Sequence, residues 1–341
     1  MKAVTHSDID YHWHKWIFDN LLAGCSVESM VKTVNQSTTC EKSAVIAAIY
    51  AAKGHPYIEA AKALKHTLAK RHWLLETYDQ LAAMDTRYAT QIEKRAAPSF
   101  DIFIKEYYSK HLPVVLTGGI QDWPALANWS PAYFEQKFGD KQVEVQFGRE
   151  KDPLYERNSR QYKKQMLMRE YCQLVTQGGA SNDYYLTANN NRECLSELAT
   201  LFDDVGDFAP GYRKPENINT RSHLWFGPKG AFTPLHHDLT NNMLVQVYGR
   251  KKVTLIPAAQ VENIYNDKHV YSATDFPDVN KEKFPLINKT TPIEIILHPG
   301  EAVFIPIGWW HCVESLDISM SISFTDFKVK NDFFSRFPRE R

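Results

Sequence analysis

The stretch TPLHHDLTNN, residues 233–242, places two histidines directly before an aspartate. On an extended strand side chains alternate between two faces, so His236 and Asp238 project together while His237 points the opposite way. The pair offers one imidazole and one carboxylate to a metal ion; a β-bulge at this point would invert the choice of histidine. A third ligand must then come from elsewhere in the chain. His311, in PGEAVFIPIGWWHCVES, is the strongest candidate. It follows an apolar strand and a Pro/Gly turn, and the adjoining Trp309 and Trp310 would make a dry wall. His298, before the Pro-Gly turn, and His223, opening HLWFG, are weaker candidates. Two histidines and one carboxylate match the facial triad of non-haem Fe(II) oxygenases, which leaves three coordination positions open. Zinc competes for the same donors, although zinc hydrolases commonly carry the histidine pair on a helix as H-E-x-x-H, a motif this chain lacks.

The segments around these residues supply a second feature. If NMLVQVYGRKKVTLIP is a hairpin turning at Gly249–Arg250, Tyr248 pairs with Lys251 and Gln246 with Val253. Asn242, Gln246 and Lys251 then share one face, and Lys252 faces outward. A buried ammonium is costly unless paired, so an inward Lys251 asks for an anionic ligand.

The elements that must position these groups fall into two textures. Residues 10–95 read as helical. YHWHKWIFDNLLAG stops on Gly24, Thr38 with Glu41 fits a capping box, EKSAVIAAIYAAKG closes on glycine, and Pro56 opens a longer helix. Short helices around residues 26–52 have the spacing of a helix-turn-helix but no basic cluster on the would-be recognition helix. Packing, dimerisation or gripping a substrate chain suits them better than DNA. Lys62, Lys65, Lys70 and Arg71 read as a solvated helix face.

A junction is expected near Pro98, dividing a helical domain, 1–97, from a second domain, 98–341. Beyond it come short β-type runs: PVVLTGG, QVEVQFG, DYYLTA, HLWFG, NMLVQVYG, KKVTLIP, IEIILHPG, AVFIP and SMSISFTDF. A helix starting at Ser130–Pro131 interrupts them. Many short strands, with helices mainly before the densest β region, indicate an α+β chain whose core is a barrel or double-sheet jelly roll.

Composition narrows the function classes. Forty basic residues balance forty acidic ones, so no overall field draws the chain to nucleic acid or an anionic membrane. The longest apolar run, AVIAAIYAA, is far short of the roughly 20 residues that span a bilayer, and MKAVTHSDID lacks the apolar core of a signal peptide. A cytoplasmic location is therefore expected. Five scattered cysteines, Cys25, Cys40, Cys172, Cys194 and Cys312, without a C-x-x-C pair, read as reduced thiols. Aromatic residues in NDFFSRF suit either packing within the monomer or a homodimer contact.

Four segments together resemble the jumonji-C-like branch of the cupin superfamily, the 2-oxoglutarate-dependent oxygenases that include the asparaginyl hydroxylase of hypoxia-inducible factor. They are PVVLTGGIQDWPALANWSPAYFEQKFGD, YYLT, WFGPKGAFTPLHHDLTNNMLVQVYGRKKVTLIP and HPGEAVFIPIGWWHCVESLDISMSISF, spanning roughly residues 100–327 in family order. The resemblance implies a double-stranded β-helix, Fe(II) held by His236, Asp238 and His311, and 2-oxoglutarate and O2 as cosubstrates. It places Lys251 on the distal carboxylate of 2-oxoglutarate, with the hydroxyls of Thr233 and Tyr185 on the same group. It makes Asn242 an amide of the metal pocket, Trp225 an aromatic wall and Ser323 a lining residue. The implied reaction converts 2-oxoglutarate to succinate while hydroxylating an unactivated C–H bond, on a protein or peptide side chain by analogy with these relatives. Within the same chemistry, N-methyl demethylation, RNA-base hydroxylation and metabolite oxidation are rivals, and the neutral charge disfavours RNA. A non-catalytic cupin binding module is the rival from another class. One departure stands out: related hydroxylases usually place an aromatic residue after the SISF strand, where this chain has Thr325–Asp326.

Overall fold

The computed structural model describes residues 9–188, 197–209, 211–214, 216 and 221–338. They form two compact units, Met1–Thr77 and Tyr78–Arg341. Cys194 lies outside the described residues; the other four cysteines are free thiols.

The first unit contains α1 (Tyr11–Ala23), α2 (Val27–Ser37) and α3 (Lys42–Lys53), and α4 (Pro56–Ala82) begins in it. Asp10 caps α1 by accepting from the Trp13 amide, and Gly24 ends it in the left-handed conformation that an L side chain disfavours. The core gathers Ile17, Met30, Val34, Val45, Ile49 and Ile58. The Thr38–Glu41 capping box does not form. Thr38 closes α2 instead, its hydroxyl donating to the Val34 carbonyl at 2.9 Å, and Glu41 precedes α3 without a side-chain cap bond.

Helices of the second unit are short: α5 (Thr86–Ala89), α6 (Phe100–Phe103), α7 (Pro124–Asn128), α8 (Pro131–Phe138) and α9 (Met168–Gln177). Ser130 caps α8 by accepting from the Tyr133 amide, as the Ser-Pro pair predicts. The strands are β1 (Glu93–Ala96), β2 (Val114–Thr117), β3 (Gln142–Phe147), β4 (Lys163–Leu167), β5 (Tyr184–Tyr185), β6 (Ser222–Gly227), β7 (Phe232–His237) and β8 (Asn242–Tyr248). They continue with β9 (Lys251–Ile256), β10 (Asn266–Lys268), β11 (Tyr271–Ser272), β12 (Ile293–Leu297), β13 (Glu301–Ile305), β14 (Trp310–Ser315) and β15 (Ser319–Phe324). Each of the nine β-type runs contains a strand. The helical texture read through residue 95 stops short, because Glu93–Ala96 pair in parallel with β2.

Two six-stranded sheets, ordered β1-β2-β13-β8-β15-β6 and β10-β11-β7-β14-β9-β12, carry the architecture, and β4-β3-β5 form a smaller third sheet. From β6 to β9, and again from β12 to β15, the chain alternates between the two large sheets. This is the jelly-roll cupin arrangement, and it corrects one expectation. Strands β8 and β9 are not a hairpin: β8 pairs with β13 and β15, whereas β9 pairs with β14 and β12. Gly249–Arg250 is a crossing between sheets. Gly249 has φ of 66°, and a Cβ there would collide with the Ile318 carbonyl.

Candidate metal centre

A cavity of about 280 Å³ lies between the two large sheets, and all nine residues to which the resemblance assigns a site role line it. His236, Asp238 and His311 offer ligand atoms within 4.8 Å of one another, the arrangement a single metal ion needs. His236 Nε2 is 3.9 Å from Asp238 Oδ1 and His311 Nε2 is 3.9 Å from Asp238 Oδ2, with the imidazole centroids 4.2 Å apart.

The backbone fixes which nitrogen of each ring faces the shared point. Nδ1 of His236 donates to the Pro234 carbonyl at 2.8 Å, and Nδ1 of His311 donates to the Trp309 carbonyl at 2.9 Å. A carbonyl can only accept, so Nδ1 carries the proton and the Nε2 lone pair is left for a cation. Burial, reinforced by the neighbouring His236, pushes His311 down to about 4, which keeps its ring neutral near pH 7. Burial opposes ionisation of Asp238, but His311, His236 and the Asn242 amide outweigh it and hold the carboxyl below its usual range. Asn242 Nδ2 donates to Asp238 Oδ2 at 2.9 Å, and Asn242 Oδ1 is buried without a hydrogen-bond partner among the described residues. Two imidazoles and a carboxylate, each already oriented, fit a divalent transition metal.

Strand β7 carries a bulge that strict alternation does not contain. His311 sits opposite His236, and Val313 sits opposite Thr233, so β7 spends one residue more than β14 over this stretch. Thr233 and His236, three apart in sequence, therefore both line the cavity. Pro234 falls within the bulge, where its missing N–H costs no ladder bond. The bulge lies upstream of the H-x-D pair and leaves its phase intact. His237 faces away, its ring edge-on to Trp310 at 4.8 Å.

The other end of the cavity belongs to Lys251. Its side chain is buried, its ammonium donates to the Tyr185 hydroxyl at 3.0 Å, and it lies 5.7 and 5.9 Å from the Tyr185 and Trp225 ring centroids. Burial alone lowers Lys251 from 10.5 to about 7. An ammonium in this setting is completed by an anion, and a dicarboxylate spanning from lysine to metal site suits both ends. Trp225 Nε1 donates to Ser323 Oγ at 2.9 Å, tying two further lining residues together. Lys252 turns outward to Glu314 at 2.8 Å. Tyr184, in the alternate phase to Tyr185, donates to the Leu174 carbonyl instead.

Several expectations are redrawn. Trp309 and Trp310 are not cavity walls. Trp309 is fully buried, donating to the His111 carbonyl and packing against Tyr88, while Trp310 joins a separate cluster with Leu235, Ile256 and Cys312. Gln246 shares the inward phase of Asn242 but does not line the cavity; its amide nitrogen donates to the carbonyls of Tyr248 and Gly249. The departure after β15 has a structural account. Thr325 lines the cavity, and the buried Asp326 carboxylate accepts from Arg213 Nε and Nη2 at 3.0 and 2.8 Å. Removing one partner of such a pair strands a buried charge, at about 3–5 kcal/mol.

Glu156, Val270 and Tyr271 also line the cavity and were not anticipated. Tyr271 arrives through β11, whose register sets it opposite His236. Glu156 lies between strands, 3.4 Å from Arg149 Nη2. Neither position has a local sequence signal, since each depends on a long-range pairing.

A family model described as a cupin-like domain matches residues 100–327. "Lysine-specific demethylase 8" of Xenopus tropicalis is 31% identical over 240 residues, covering 69% of this chain and 52% of that protein. "Lysine-specific demethylase JMJ30" of Arabidopsis thaliana is 30% identical over 240 residues, covering 69% and 54%. "Jumonji C domain-containing protein 5" of Drosophila melanogaster is 29% identical over 239 residues, covering 67% and 58%. The chain thus spans about half the length of the curated relatives it matches. Among the described residues, no helix is long and apolar enough to cross a membrane.

Proposed function

Because this chain belongs to the cupin-like, jumonji-C family of Fe(II)- and 2-oxoglutarate-dependent oxygenases, we propose that it hydroxylates a C–H bond on a side chain of a protein or peptide. One observation carries this reading: three groups able to ligate a metal and a buried lysine that has no carboxylate partner among the described residues converge on one cavity. His236, Asp238 and His311 would hold Fe(II), and Lys251 with the hydroxyls of Tyr185 and Thr233 would hold the distal carboxylate of 2-oxoglutarate. Bound iron supplies the oxidative step, in which O2 and 2-oxoglutarate give succinate and CO2 and one oxygen atom enters the substrate C–H bond.

The chain's own residues orient and exclude. The Pro234 and Trp309 carbonyls hold both imidazoles in the metal-binding tautomer, and Asn242 fixes the carboxylate. Lys251 and Trp225 supply a dry, cationic seat. A binding module without catalysis has no need of this complete set, which favours the enzyme.

Demethylation is a second reading, favoured by the names of two relatives. If the attacked C–H belongs to an N-methyl group, the hydroxymethyl product loses formaldehyde and leaves the N–H amine. The Tyr271 ring on the cavity wall suits a cationic side chain of that kind. Mass spectrometry of peptide pools incubated with the protein, Fe(II), 2-oxoglutarate and O2 separates the outcomes. A gain of one oxygen supports hydroxylation, and loss of a methyl group supports demethylation. Succinate formation without either change in any pool, or no succinate at all, counts against a peptide substrate and against the enzyme reading respectively.

A further inference from the structure

Helix α4 is 27 residues long, yet among its described residues only Ile58 is buried. Its large apolar side chains stand in solvent: Tyr57 is 75% exposed, Leu64 61%, Leu68 52%, Leu75 37% and Tyr78 57%. Trp73, 64% exposed, stands apart from them; the placement of these five is regular. Tyr57, Ala61, Leu64, Leu68, Arg71, Leu75, Tyr78 and Ala82 follow one another at steps of four and three. A strict 3.5-residue period is what keeps one stripe facing a partner helix through a supercoil.

We propose that α4 pairs with the α4 of a second copy of this chain as an antiparallel two-stranded coiled coil. The sequence of the stripe is self-complementary in that direction. With the two-fold axis between positions 69 and 70, Leu64 meets the partner's Leu75, Leu68 meets the partner's Arg71 and Ala61 meets the partner's Tyr78. Ala82, partly buried against the core of its own chain, closes the stripe, and the large Tyr78 falls opposite a small residue, which fills the seam evenly. A parallel pair would instead stack Arg71 on the partner's Arg71 and leave alanine opposite alanine. Leu74 and Leu81, 41% and 54% exposed, flank the stripe on one side. Together with the five stripe exposures given above they amount to roughly 750 Å² per copy, at about 200 Å² for a fully exposed large side chain. That is close to the roughly 800 Å² each partner gives to a standard stable interface. Arg71, apart from the polar face that carries Lys62 and Lys70, keeps the seam from being wholly apolar and sets its register.

Sedimentation equilibrium of the 39.3 kDa chain should give twice that mass. Leu68→Glu should weaken the dimer by roughly a hundredfold or more, and Arg71→Leu should tighten it, a change of opposite sign that misfolding cannot mimic. In a background of Cys25→Ser and Cys40→Ser, the double variant Leu68→Cys with Arg71→Cys should cross-link under oxidation far better than Leu68→Cys alone. A monomer at every concentration, or a dimer indifferent to both Leu68→Glu and Arg71→Leu, overturns the proposal. Equal cross-linking by Leu68→Cys alone overturns the antiparallel direction.

Discussion

The two ends of the cavity are built on opposite terms. At the metal end every ligand is already oriented by the protein: two imidazoles by backbone carbonyls, one carboxylate by an amide. At the lysine end a buried ammonium has a phenol and two aromatic rings but, among the described residues, no carboxylate. The first end is preorganised, and the second is finished only by what binds there. Damage at the metal end should therefore remove a capability, whereas damage at the lysine end should change a concentration or a pH at which the capability appears.

The largest effect is expected from Asp238→Ala, which should abolish Fe(II) binding and succinate formation while the melting temperature stays near that of the unaltered chain. Retained turnover would remove Asp238 from the ligand set. Lys251→Met should raise the 2-oxoglutarate concentration for half-maximal turnover by about 100-fold, since losing one partner of a buried charge pair costs roughly 2–5 kcal/mol. Metal affinity, measured by titration, should hardly move; equal losses in both would erase the distinction between the ends. Asn242→Ala should weaken metal affinity about tenfold, the lower range for a group that orients a ligand. Affinity for 2-oxoglutarate should depend on pH with a definite sign. Lys251 in the empty site is lowered to about 7, so above that pH binding must first restore its proton. The dissociation constant should rise by up to about tenfold per pH unit above 7 and flatten below it, and calorimetry in two buffers should record proton uptake. Tyr185→Phe should cost only a few-fold in 2-oxoglutarate affinity, about 1 kcal/mol for one hydrogen bond.

How legible each end was follows the same division. The H-x-D phase could be read from strand alternation because both residues lie in one short extended segment. That Thr233 shares the cavity with His236 could not, because the bulge through Pro234 is fixed by pairing with β14, some 75 residues away in sequence. The inward direction of Lys251 was anticipated through a hairpin that does not exist; it comes instead from alternation of strands between two sheets. Period-two patterns report which residues share a face, not which strand lies alongside. For the same reason the strands themselves were mostly visible, while Glu156 and Tyr271 were not. The tryptophans flanking His311 read as a wall because they are adjacent in sequence, but alternation turns Trp310 away from the cavity into a separate buried cluster, and Trp309 falls in the turn before β14, packed into the core.

The crossing at Gly249 gives the lysine end a mechanical hinge pin. Because the chain passes there from one sheet to the other against the Ile318 carbonyl, any side chain at 249 has to push this crossing or the Ile318 backbone aside, two residues before Lys251. The three candidate metal ligands, carried on β7, the residue after it and β14, would keep their own supports. A substitution with no chemistry of its own would thus detune the proposed cosubstrate seat and leave the proposed ion seat in place.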